Sequence, residues 1–96
     1  MQKLLKPLFT AEKIQNLLTQ MKAFYMDGEL LSDNEEYILT IDIVKDRAGK
    51  DGWIFTWELG KFIIDEDGEK GIDWIDGEKV YSTDDLFESL AKHGII

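Results

Sequence analysis

The sequence contains no cysteine, one proline and one histidine among 96 residues. The first absence removes disulfide frameworks, thiolate zinc sites and cysteine nucleophiles together. It also agrees with a reducing compartment, the cytoplasm by default. With proline confined to Pro7, everything downstream is free to form uninterrupted helices and strands. No apolar run approaches the ~18 residues that span a bilayer, because Asp, Glu or Lys breaks each hydrophobic stretch within a few positions. No membrane association is expected. Met1 to Phe9 holds Lys3 and Lys6 but neither a continuous apolar stretch nor a small-residue cleavage site, so it does not read as a secretory signal.

Basic residues are also scarce: 11 Lys and Arg stand against 20 Asp and Glu, a net charge of −9. The imbalance is uneven, since Met1 to Met26 carries four Lys against Glu12 and the remainder seven basic against nineteen acidic residues. Charge of this sign repels phosphate backbones and favours cationic partners, so no direct binding of nucleic acid is expected.

What is present is enough for a core. Apolar residues make up 44%, including three Trp, three Tyr and five Phe, which places the chain among globular rather than disordered acidic proteins. No repeat, low-complexity tract or linker divides it, and one domain over residues 1 to 96 is expected.

The spacing predicts a first helix over Ala11 to Met26, after a Met1 to Lys6 lead-in set off by Pro7. Thr10 is its N-cap, Phe9 and Ile14 stand at the spacing of a hydrophobic staple, and Asp27-Gly28 supplies a left-handed stop. Its apolar face reads Ile14, Leu17, Leu18, Met21, Phe24 and Tyr25.

Beyond a polar link at Ser32 to Glu35, Glu36 to Lys45 alternates with period two, placing Tyr37, Leu39, Ile41 and Ile43 on one side. Ile38 and Val44 fall on the other side and predict a weak homodimer seam if helices cover only one face. A turn over Asp46 to Gly52 leads into Trp53, Phe55, Trp57 and Leu59, again at period two. Gly60 marks a bulge or break, because Phe62 and Ile64 follow in the opposite phase. Asp65 to Gly71 reads as a turn, and Asp76-Gly77 as a two-residue hairpin turn between Trp74-Ile75 and Val80-Tyr81. Ser82 and Asp85 resemble a capping box for a second helix, Asp84 to Lys92, with Leu86, Phe87, Leu90 and Ala91 on its apolar face and Gly94 as its stop. The predicted fold is α+β: an N-terminal helix, an antiparallel meander of four or five strands, and a C-terminal helix, both helices on one face of the sheet.

The densest charge runs from Asp65 to Glu78, where Asp65, Glu66, Asp67, Glu69, Asp73, Asp76 and Glu78 face only Lys70, a net −6. As a calcium loop it fails. Aligning Asp65, Asp67 and Gly68 with loop positions three, five and six puts Ile63 and Trp74 at the first and twelfth, where neither coordinates. No metal or other cofactor is expected. Read as a surface, the carboxylates form a ridge with Trp74 and Tyr81 beside it, suited to a basic protein partner; the plainer reading is a set of solvated turns. In charge and size alone the chain resembles acidic proteins that imitate nucleic acid, and it matches no family motif.

His93 sits in the last turn of the second helix, where a capping role is expected. Ser32, Ser82 and Ser89 are accounted for by a turn, a cap and a polar helix face. No nucleophile, singled-out carboxylate pair or glycine-rich phosphate loop is evident, and Trp53, Phe55 and Trp57 alternate as core rather than as a base-stacking platform. The expectation is a non-catalytic protein-binding module, an inhibitor or adaptor acting on a basic surface. The alternatives are a structural subunit of a larger assembly or homodimer, and, more remotely, a carboxylate-dependent enzyme.

Overall fold

The computed structural model describes residues 7 to 96, and the Met1 to Lys6 lead-in lies outside the described residues. Helix α1 spans Ala11–Phe24 and opens where expected, with Thr10 extended and its hydroxyl accepting from Lys13 N at 3.2 Å. Ile14, Leu18 and Met21 are buried, and Phe9 is buried just ahead of them, as a staple requires. The stop differs from the sequence reading. Tyr25, not Gly28, takes the left-handed conformation, at φ 51°, and its N–H bonds to Met21 O. Its ring leans on Trp53 with centroids 6.2 Å apart, a contact that accompanies the turn two residues early. Phe24 and Tyr25 therefore leave the apolar face and are 72% and 68% exposed.

Gly28 instead opens β1, Gly28–Leu31, a four-residue strand too short to show a period in the sequence. Ser32 then closes a tight link: its hydroxyl donates to Asn34 Oδ1 and accepts from Tyr37 N. Strands β2, Tyr37–Lys45, and β3, Trp53–Ile64, form the hairpin that the alternation predicts, in unbroken register from Tyr37 opposite Lys61 to Lys45 opposite Trp53.

Strand β4, Lys70–Val80, runs straight through the Asp76-Gly77 pair. The expected second hairpin does not exist. Asp76 and Gly77 stay in register with Leu59 and Glu58, and Gly77 serves close approach rather than a turn: a β-carbon there would lie 2.9 Å from Trp57 O. The irregularity expected at Gly60 is present, but its extra residue is on the partner strand. Leu59 faces Asp76 and Gly60 faces Trp74, which leaves Ile75 unpaired as a β-bulge while β3 itself continues.

The sheet order is β1-β2-β3-β4, antiparallel throughout, so the count settles at four strands among the described residues. Helix α2, Thr83–Lys92, is capped by Ser82, whose hydroxyl accepts from Asp85 N at 2.9 Å. Asp51, from the loop before β3, caps the same helix end a second time by accepting from Thr83 N at 2.8 Å. Leu86 and Leu90 are fully buried, Ala91 is exposed rather than on the apolar face, and Gly94 ends the helix at φ 74°. Both helices cover the face that carries Leu39, Ile41, Phe55, Trp57 and Leu59, and Ile95 closes the core by accepting from Leu8 N and Phe9 N. The fold is α+β as expected. No described helix is long and apolar enough to cross a membrane.

Candidate functional site

Cross-strand register assigns every residue of the outer sheet to a face, because directly paired residues share one. On the face away from the helices, Leu31, Ile38, Gly60 and Trp74 form one row, and Phe62 with Ile72 the next. Gly60 is what lets this row pack: Ile72 Cγ2 and the Trp74 ring lie 2.5 Å and 3.0 Å from where its β-carbon would sit. Ile38, in register with Gly60, is consequently only 8% exposed, and the expected seam of exposed Ile38 and Val44 reduces to Val44.

Strand β2 reaches no further than Tyr37, opposite Lys61, and Phe62 N makes one more bond to Glu36 O at 2.9 Å. Past that point β3 and β4 continue alone as a two-stranded arm, exposed on both faces. It accounts for the elongation of the molecule, whose extents are 45 × 26 × 21 Å. Phe62, Ile63, Ile64 and Ile72 are exposed there, Ile64 the most at 71%, and Trp74 and Ile75 are exposed at the arm's root, where β2 still pairs with β3. An apolar groove of about 460 Å³ lies at the arm's root, bordered by Leu31, Glu36, Phe62 and Ile64.

The arm's tip is a short turn, narrower than the Asp65 to Gly71 segment expected. Asp65 Oδ1 accepts from Asp67 N at 2.9 Å and Glu69 N at 2.8 Å, and Gly68 takes φ 79°. Asp65 is thus bound into the backbone, while Glu66, Asp67 and Glu69 stand exposed around it. Asp73 lies on the helix side of the arm, opposite Lys61, and forms no ion pair among the described residues.

The remaining members of the predicted ridge lie elsewhere. Asp76 and Glu78 point to the helix face below the arm, and Tyr81 follows the far end of β4, beside the loop that precedes β3 through its bond from Lys50 N. At about 3.3 Å per residue, Tyr81 is more than ~30 Å along the strand from Glu69. The structure therefore gathers Asp65, Glu66, Asp67 and Glu69 at the tip, sets Asp73 and Trp74 on opposite faces at the arm's root, where Trp74 shares an open groove with Asp76 and Glu78, and leaves Tyr81 at the far end of the strand.

Asp76 and Glu78 belong to a polar cluster that sequence reasoning missed. Trp57 Nε1 donates to Ser89 Oγ at 2.8 Å, and Ser89 Oγ donates to Glu78 Oε2. Ser89 is buried on the packed side of α2, not on a polar helix face. His93 is the helix C-cap, as expected, with Nδ1 2.8 Å from Ser89 O and its ring edge-on to Trp57 at 5.1 Å. Its Nε2 lies 3.7 Å from Asp76 Oδ2, a buried oxygen with no hydrogen-bond partner among the described residues. His93 thus meets the Ser89 carbonyl rather than its hydroxyl, and that hydroxyl is engaged twice, so the geometry holds no serine-histidine dyad. Among the described residues no three His, Asp or Glu side chains are grouped to hold a metal ion.

Comparison with family models, with curated proteins and with solved structures finds no match to this chain.

Proposed function

We propose that the chain is a non-catalytic protein-docking module, and that the β3–β4 arm is the part that engages a cationic partner. The observation that carries this reading is the combination of four exposed large apolar residues on an unsupported two-stranded arm, Trp74 and Ile75 exposed at its root, and a tip of carboxylates. A lone hairpin is marginal in water, and contiguous exposed apolar surface marks places where another molecule sits. The hairpin from Lys61 to Asp73 carries five carboxylates against Lys61 and Lys70, a net −3. Such a tip speeds encounter with a basic surface, and the apolar flanks behind it slow dissociation.

The test is capture of partners from the native lysate by the chain and by two triple variants. Reversal of Glu66, Asp67 and Glu69 to Lys changes the tip without removing Asp65, which holds the turn. Reversal of Glu12, Glu29 and Glu88 changes net charge equally, at exposed positions off the arm. The tip variant is expected to lose its partner and the control to keep it, with release as salt screens the contact beyond ~8 Å. Equal losses would reduce the effect to net charge. A narrower form of the reading, a partner groove that otherwise takes nucleic acid, requires that duplex DNA compete with the chain for that partner.

A further inference from the structure

We propose that the arm binds by strand addition: the outer edge of β4, Lys70 to Trp74, takes an extended partner segment whose side chains alternate basic and apolar. The inference rests on the docking reading above and specifies its partner. Among the described residues strand β4 is an edge of the sheet, paired only with β3. The direction of its free backbone groups follows from β3. Phe62 N bonds to Glu36 O, on the β2 side, so in the antiparallel ladder Phe62 and its partner Ile72 turn their backbone groups away from each other. Ile72 therefore directs N–H and C=O outward, and period two gives the same direction to Lys70 and Trp74. The bond from Asp65 N to Glu69 O, three positions on, falls in the alternate, inward-bonded phase and agrees with this assignment.

These outward positions also fix the chemistry of the two faces. Lys70, Ile72 and Trp74 lie on the open face with Ile64, Phe62 and Gly60, whereas Gly71 and Asp73 lie on the helix face. A strand laid against this edge meets Ile72 and Trp74, with Lys70 at the end, on one face and the Asp73 carboxylate beside Gly71 on the other, so apolar side chains on the first face and a basic one on the second match it. The Ile75 bulge ends the regular edge, leaving five residues, a common strand length. A second copy of the chain is a poor occupant. It brings the same net charge of −9, which opposes association of two copies at low salt.

The probe is a synthetic peptide in which Lys or Arg alternates with Val, compared with a peptide of identical composition in two blocks. A third peptide has the alternating sequence with N-methyl groups on every second amide. Binding is followed by amide resonances of the labelled protein at low salt. The alternating peptide is expected to shift and protect the Lys70, Ile72 and Trp74 amides, and the block and N-methylated peptides to bind at least ~10-fold more weakly. Ile72→Pro removes one outward N–H without touching the ladder to β3, and should weaken the alternating peptide by a similar factor, whereas Ile72→Ala should not match it. If all three peptides bind equally and shift only the tip amides, strand addition is overturned while cationic docking stands. If none binds, both readings fail.

Discussion

Trp57 and Ser89 are joined inside the core: the indole Nε1–H donates to the serine hydroxyl at 2.8 Å, with Trp57 fully buried and Ser89 5% exposed. The bond ties the central strand to α2, and Glu78 on β4 completes it by accepting from the same hydroxyl. Ser89→Ala leaves the indole N–H without a partner and is expected to destabilise the fold by about 1–3 kcal/mol. Urea denaturation measures this; a change under ~0.5 kcal/mol would show that the network contributes little.

A second prediction concerns acid. The Asp51 carboxyl is held below its ordinary value of 3.8: burial, the largest single influence, pushes it up, but bonds from the Thr83 hydroxyl and N–H and from Trp53 N, with nearby Lys22, outweigh it. A carboxyl lowered by folding stabilises fully above its unfolded pKa, and that contribution is lost as pH falls through the folded one. Asp51→Ala should therefore cost about 1 kcal/mol at neutral pH, as loss of a helix cap does, and much less well below pH 3.8. Denaturation at both pH values checks it; an equal cost at the two would contradict the assignment.

Gly77→Ala places a methyl 2.9 Å from Trp57 O and 3.3 Å from Glu58 Cγ, so β4 must move off β3 beside the bulge. The expected loss is about 1–3 kcal/mol, with faster amide exchange around Trp57 and Glu58. Gly68→Ala strains a positive φ at the arm's tip and should leave exchange in the core unchanged.

The contrast between these two glycines shows what the sequence made legible. Thr10, Ser82 and Gly94 announce the ends of the helices because capping chemistry is local, and the alternation of β2 and β3 follows from burial of one face. Asp76-Gly77 misled because the same dipeptide that suits a tight turn also suits a strand where backbones crowd, and only the partner strand distinguishes the two. The tip carboxylates were visible as composition. The arm was not, since its exposure depends on where β2 ends, and neither was the link from Trp57 through Ser89 to Glu78, which spans three elements.

The arm should also differ in dynamics from the sheet that bears it. Amides from Ile63 to Gly71 have only two strands and no helix above them, and should exchange more than ~100-fold faster than those of Leu39, Ile41 and Phe55. Hydrogen exchange followed by NMR reads this directly; uniform protection would mean that the arm is as stable as the core without a partner.

The most direct measurement removes the arm. Replacing Phe62 to Ile72 with Asn-Gly joins Lys61 to Asp73, a register pair, through a two-residue turn and leaves every buried core residue in place. After thermal denaturation confirms that this variant folds, quantitative mass spectrometry compares what it and the intact chain capture from the native lysate. The account predicts a partner that binds the intact chain, is released by salt and is absent from the trimmed one. Recovery of the same partners in equal amounts by both chains would contradict it.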